Sequence, residues 1–249
     1  MTPELKSILE TLCLPAGGLR FREIAPGTPA EVANTRLGGL PYAEAGEKWP
    51  VCEECTKELA FIGQFRLPDS GHGSLPWGSL LTFFYCWHCS SWGFDGEKRT
   101  WEIRTHRSPA AEKAVICVPL GASERPIKPC RAETVAEQSL PAFDGLEYWS
   151  PRVEELCCQE NPDEPWEVYF AALEELGISG DVTSMFGGYP QWIQGDETPD
   201  CPECDERMQL MVQIASEEAA ELMWGDAGAV YLFSCPSHPE ARRIVLQCY

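Results

Sequence analysis

An α+β, β-rich chain of two similar antiparallel lobes is what this sequence predicts, and three observations carry that expectation. Residues 36–89 recur without gaps 149 positions later, at 185–238. Short apolar and aromatic runs bounded by Gly and Pro dominate both copies, and helical periods are few. Each copy also places two pairs of metal-ligand residues at the ends of those runs, which predicts two structural zinc sites.

Residues 3–13 set Leu5, Ile8, Leu9 and Leu12 at helical spacing, with Thr2 as N-cap and Pro3 in the first turn. Pro15 and Gly17-Gly18 end that helix, and a loop rich in Pro, Gly and Ala leads into the first copy. Each copy opens on a Gly-Gly-x-Pro turn, Gly38 to Pro41 and Gly187 to Pro190, where side chains would obstruct the backbone. Strands are predicted over 59–65 and 80–85 in the first copy, with a surface loop at 68–77 between them, and over 208–214 and 230–234 in the second. Between the copies, 101–104 and 114–118 read as short strands and 166–176 as a helix. That helix has Trp166, Tyr169, Phe170, Leu173 and Leu176 on one face and Glu167, Glu174 and Glu175 largely on the other. Residues 216–223 read as a further short helix capped by Ser216. The organisation expected is an N-terminal helix and loop (1–35), repeat one (36–107), a connecting segment (108–184) and repeat two (185–249), within one compact domain.

The ligand sets are Cys52, Cys55, Cys86 and Cys89 in the first copy and Cys201, Cys204, Cys235 and His238 in the second. A two-residue spacer lets one tight turn bring two thiolates to about 2.3 Å from one zinc ion, and two such turns complete a tetrahedron. His238 stands where the first copy has Cys89, and zinc accepts either residue type. Cys248 is the reserve ligand for that position. Closed four-ligand sites leave no position for an activated water, so both ions read as structural, not catalytic. Redox chemistry fits poorly, because a strand and not a helix N-terminus follows each first pair. Of the other cysteines, Cys13, Cys117, Cys130, Cys157, Cys158 and Cys248 show no ligand spacing and read mostly as small buried hydrophobes, Cys157-Cys158 being the pair to watch for reactivity.

Gln64 and Gln213 also recur, and two readings stand beside each other: ligand contacts, or buried amides that satisfy backbone groups near the Gly-Gly turns. Trp77, Trp87, Trp92 and Trp192 read either as the lining of a groove or as core. His72 and His106 read as loop residues, no nucleophile arrangement can be assembled, and no phosphate-cradling glycine motif is present.

The chain of 249 residues carries a net charge of -20, unevenly placed. Residues 1–107 hold 11 Lys/Arg against 13 Asp/Glu, whereas 108–249 hold 8 against 26. A second part at -18 repels phosphate backbones, which argues against nucleic acid and towards a basic partner, with solubility alone as the plain alternative. No run of about 18 apolar residues exists, so no membrane span is expected. Neither a basic start nor a signal-length apolar run follows Met1, and thirteen cysteines are an odd count, so a cytoplasmic, reducing location is expected.

The residues Phe186-Gly-Gly-Tyr-Pro190, Gln191-Trp-Ile-Gln-Gly-Asp196, Leu37-Gly-Gly-Leu-Pro41, Trp49-Pro50 and Leu59-Ala-Phe-Ile-Gly-Gln64 resemble the bacterial YwqG-like family of unknown function. That resemblance spans both copies and implies one β-rich, internally duplicated α+β domain. The cysteine-bearing form is similar to the programmed cell death protein 2 family, in which a Gly-Gly-x-Pro turn, a Cys-x-x-Cys knuckle, a Phe-x-x-Gln strand and a later Cys pair come in one order. Cys52, Cys55, Gln64, Cys86 and Cys89 match that order, while the extra zinc finger of some members is absent here. The resemblance implies a dedicated chaperone of a basic ribosomal protein.

The function expected is therefore a zinc-stabilised, non-catalytic cytosolic module that binds a basic polypeptide, either a chaperone of a ribosomal protein or an inhibitor of a toxin. The alternative is an enzyme or small-molecule binder using a cleft between the lobes around Gln64 and Gln213.

Overall fold

A computed structural model describes residues 1–25, 32–67, 79–89, 98–121 and 125–249. The loop at 68–77, with His72 and Trp77, and Trp92 lie outside the described residues. In chain order the strands are β1 (Leu14–Glu23), β2 (Arg36–Leu37), β3 (Ala60–Arg66), β4 (Leu80–Tyr85), β5 (Trp101–His106), β6 (Cys130–Ser139), β7 (Met185–Phe186), β8 (Gln209–Ala215), β9 (Ala229–Ser234) and β10 (Arg242–Gln247). The helices are α1 (Pro3–Leu12), α2 (Leu146–Trp149), α3 (Pro151–Glu160) and α4 (Pro165–Glu175). Among the described residues no helix is long and apolar enough to cross a membrane. The chain divides into two units, the first made of residues 1–19, 134–215 and 224–249, the second of 20–133 and 216–223.

In the first unit the strand order is β10-β9-β8-β7-β1, each strand antiparallel to the next. Met185, Leu210, Tyr231 and Phe233 form a core beside the ligands Cys201 and Cys235. A second core joins Leu5 and Leu9 of α1 to Leu146, Val153, Cys157 and Tyr169. Helix α1 begins as expected: the Leu5 N–H donates to Thr2 Oγ1 at 3.2 Å and Pro3 fills the first turn. Helix α4 turns differently from expectation. Tyr169 and Ala172 face inward, and Tyr169 donates its hydroxyl to the Pro141 carbonyl at 2.7 Å, whereas Trp166 and Phe170 are exposed.

In the second unit the order is β6-β2-β3-β4-β5. All six residues of β4 are buried, which explains why that run is apolar without alternation. Its internal pairing follows the same plan as that of the first unit: β3 meets β4 with a bulge between Phe61 and Gly63, and β8 meets β9 with a bulge between Leu210 and Val212, 149 residues on.

Three expectations are corrected. Residues 14–23 form a strand, not a loop, and the glycines that suggested a loop mark close packing instead. A Cβ on Gly17 would lie 2.2 Å from the Phe186 ring, and one on Gly18 would lie 2.3 Å from the Glu137 carboxyl. Residues 114–118 form no strand, only a single bridge from Ala114 to Glu44. Residues 216–223 hold one 3-10 turn at Glu218–Ala220, closed by a Glu217–Leu222 bridge, because Glu221 adopts a left-handed φ of 53° that no helix continues.

Candidate metal centres

The first ligand pair of each set sits on a tight knuckle. In one, the Cys52 N–H donates to the Lys57 carbonyl at 2.8 Å, the Thr56 N–H to Cys52 at 2.9 Å and the Leu59 N–H to Pro50 at 3.0 Å. In the other, the Cys201 N–H donates to Glu206 at 2.9 Å, the Asp205 N–H to Cys201 at 2.8 Å and the Met208 N–H to Pro199 at 2.9 Å. Closing the loop so tightly puts Thr56 and Asp205 at the same left-handed φ of 58°. The second pair follows the end of β4 or β9, where the ladder carries Cys86 and Cys235 past the sheet edge.

These turns bring Cys52, Cys55, Cys86 and Cys89 together, and likewise Cys201, Cys204, Cys235 and His238, with all ligand atoms of a set within 4.8 Å of one another. The Sγ atoms of Cys55 and Cys86 are 3.7 Å apart, as are those of Cys204 and Cys235, and His238 Nδ1 lies 3.7 Å from the sulfurs of both Cys201 and Cys235. A tetrahedron with metal–sulfur bonds of about 2.3 Å has edges of about 3.8 Å, and one imidazole nitrogen shortens its own edges to about 3.6 Å. The donors therefore fit a single cation. A disulfide would need sulfurs near 2.05 Å. In each set the first and third ligands are buried and the other two half-buried. Cys248 is not in the set; its Sγ lies 3.4 Å from the Tyr249 carbonyl.

The thiols share charge unevenly. Burial opposes ionisation of Cys201, but the Glu203 N–H and the thiols of Cys235 and Cys204 bring it down to about 7. The Glu206 N–H works to lower Cys204, yet burial and the neighbouring sulfurs push it up to about 11. Burial, then the Cys55 hydrogen bond and the charge on Cys86, push Cys89 up to about 12. One anionic sulfur is thus stabilised at the expense of its neighbours, and only a cation at the centre lets every sulfur of a set ionise together.

Gln64 and Gln213 are fully buried and occupied. Gln64 accepts from the Tyr42 N–H at 2.8 Å and donates to the carbonyls of Val32 and Asn34, each at 2.9 Å. Gln213 accepts from the Gln191 N–H at 2.8 Å and donates to the Thr183 carbonyl at 2.6 Å. Both amides tie a strand to the segment around the Gly-Gly turn, so the geometry favours the backbone-satisfying reading over ligand contact. The turns themselves need glycine: φ is 62° at Gly38 and 69° at Gly188, and an added Cβ would meet the Ile127 carbonyl oxygen at 2.3 Å or Ser139 Oγ at 2.2 Å.

Other predicted residues divide. His106 is a buried strand residue at the end of β5, not a loop residue; its ring packs edge-on against Tyr42 at 4.8 Å. Trp192 is half-buried and stacks near Phe233 at 5.9 Å. Trp87, with Trp49, Phe61, Leu40, Pro126 and Ile127, lines a pocket of about 350 Å³ inside the second unit, in keeping with the groove-lining alternative for that residue. Its walls come from both knuckles of the four-cysteine set and from Pro119, Gly121, Pro126 and Ile127, a combination that no local sequence window displays. Cys130 and Cys157 are buried as expected of small hydrophobes, whereas Cys158 is exposed.

Fold and site together define a β-rich protein with two buried four-ligand clusters, each able to hold a metal ion. The chain belongs to the family described as Domain of unknown function (DUF1963), whose model matches residues 35–242. It is also similar to the uncharacterized protein YpfL of Salmonella typhimurium, with 37% identity over 54 residues, 22% of this chain. The match spans 12% of that relative's own length.

Proposed function

We propose that this chain is a duplicated, zinc-clipped binding protein of the cytosol that is not an enzyme and that holds a basic polypeptide. Zinc suits both sets because thiolates and imidazole at tetrahedral spacing are the donors it takes, and it brings no redox chemistry. The 149-residue offset that aligns ligands, bulges and buried glutamines supports duplication of one unit, in keeping with the YwqG-like resemblance. The ordered turn, knuckle and strand shared with the programmed cell death protein 2 family support a chaperone of a basic protein. An inhibitor of a basic toxin is the variant reading.

The observation that carries this reading is the pairing of closed metal sets with a charge of -18 over residues 108–249. Four protein donors leave a cation no open position for substrate, while the charge attracts a cationic surface. Isolation from native lysate at low salt should recover one predominant basic protein that raised salt releases, and its identity separates ribosomal protein from toxin. Recovery of acidic proteins only, or binding indifferent to salt, would refute it.

A second reading, a small-molecule binder, is favoured by the pocket beside the four-cysteine set, whose volume of about 350 Å³ lies in the range of ligand sites. Saturable binding of a small apolar compound, lost in Trp87→Ala, would support it.

A further inference from the structure

Two large aromatic side chains of α4 lie outside the core of their own unit. Tyr169 and Ala172 take the inward positions, and Trp166 is 42% and Phe170 55% exposed. At 100° per residue, Trp166, Phe170, Glu174 and Glu167 fall within an arc of about 100° on the outer side of the helix. Residues four apart are neighbours on a helix surface, so Trp166 and Phe170 place an apolar strip on consecutive turns of one face, with carboxylates along one edge. Single exposed apolar residues are ordinary, whereas two exposed aromatic side chains one turn apart on the outer face of a helix offer a partner a small apolar contact surface.

The charge around the strip selects what covers it. Residues 151–176 hold eight acidic residues against one basic residue, Arg152. Arg152 is engaged with Glu4 at 2.8 Å and Glu155 at 3.0 Å. A second copy of the chain would bring the same excess of carboxylates against this one, and an acidic partner would meet the same repulsion. A cationic segment with apolar side chains one helical turn apart satisfies both features at once, its apolar groups on Trp166 and Phe170 and its cations beside Glu167 and Glu174.

We propose that the outer face of α4, centred on Trp166 and Phe170, is the surface that grips a basic polypeptide segment. This rests on the basic-partner reading above, and the experiment separates the two. The full zinc-loaded chain is titrated with a synthetic 18-residue peptide carrying Leu at helical i, i+3 and i+4 positions and Lys elsewhere, and with a control carrying Ser in place of Leu. Trp166→Ala/Phe170→Ala and Glu167→Lys/Glu174→Lys variants are compared after confirming unchanged thermal unfolding and metal content. The expected result is at least tenfold tighter binding of the Leu peptide than the Ser control by the native chain. The double alanine variant erases that ratio, and the charge reversal weakens the Leu peptide at least tenfold. An unchanged ratio in the double alanine variant overturns the surface while the basic-partner reading stands. Failure of the native chain to bind either peptide overturns both. A concentration-dependent dimer dispersed by Phe170→Glu identifies the strip as a self-association face and overturns the proposal.

Discussion

Replacement of Cys201 by Ser tests whether metal holds the first unit together. Cys201 is fully buried, its carbonyl closes the knuckle through the Asp205 N–H at 2.8 Å, and His238 Nδ1 lies 3.7 Å from its sulfur. Serine keeps the knuckle's backbone bonds but offers a hydroxyl that does not ionise near neutral pH, so three donors remain for the cation. Structural zinc contributes about 10–16 kcal/mol in small zinc folds, so an equal share per ligand is about 3 kcal/mol. Against a typical total of about 5–15 kcal/mol, that loss lowers the midpoint of thermal unfolding by roughly 6–12 °C. Metal analysis of the purified chain should give two ions, falling to one in Cys201→Ser and likewise to one in Cys52→Ser, with calorimetry locating the shifted transition in the altered unit. A chelator should reproduce the shift in the native chain. Two retained ions in the variant, or a melt unaffected by chelator, would refute the reasoning.

Neighbouring glycines should respond very differently to the same change. Gly38→Ala puts a Cβ 2.3 Å from the Ile127 carbonyl oxygen at φ 62° and should cost about 3 kcal/mol or more, whereas Gly39→Ala, with nothing closer than 4.0 Å at φ 76°, should cost only the left-handed penalty of about 1 kcal/mol. Urea unfolding measures both, and equal losses would contradict the close approach. His106 supplies a pH test. Burial lowers its pKa below 6.5, Arg104 adds to that, and the carboxylates of Glu47 and Glu44 work against it, with the Tyr42 ring on the remaining side. The folded chain thus holds the neutral ring, the unfolded chain binds the proton more readily, and the contribution present above pH 6.5 is lost as pH falls through the lower folded value. His106→Gln should flatten the fall in stability between pH 7.5 and 5 relative to the native chain, and parallel pH profiles would count against it.

The parts of the fold legible in the sequence were those where local pattern and tertiary role agree. The apolar run at Leu80–Tyr85 matched its strand to the residue because burial on both faces needs no alternation, and the α1 cap followed from Thr2 and Pro3 alone. The ligand sets were legible because metal geometry constrains spacing more tightly than packing does. What stayed hidden depends on distant partners. Strand β6 is mostly exposed along Cys130–Ser139 and its polar residues give no period, so pairing identifies it, as at Cys130 and Arg131 opposite Leu37 and Arg36. Strand β1 was masked by glycines whose purpose is to admit the Phe186 ring and the Glu137 carboxyl. On α4 the apolar stripe is wider than the core it serves.

Position by position, the two units also show how one frame admits different residues. At positions 149 apart, Tyr42 and Thr82 answer to Gln191 and Tyr231, so the large ring lies on one segment in one unit and on the facing strand in the other. The same holds for the ring over the phenylalanine at each of two positions 149 apart: Trp49 meets Phe84 at 5.5 Å, with Ala43 nearby in sequence, and Trp192 meets Phe233 at 5.9 Å, with Thr198 at the position that answers to Trp49. Exchanges that conserve volume are the ones a close-packed core tolerates. At three of these positions a polar atom is buried without a hydrogen-bond partner among the described residues: Thr82 Oγ1, Thr198 Oγ1 and Trp192 Nε1. A penalty of about 1–3 kcal/mol for such an atom is bearable when the ring beside it still fills the space. The ligand sets have no such latitude, since no neighbour can stand in for a missing donor. The one difference between the sets, Cys89 in one and His238 in the other, is between two metal donors.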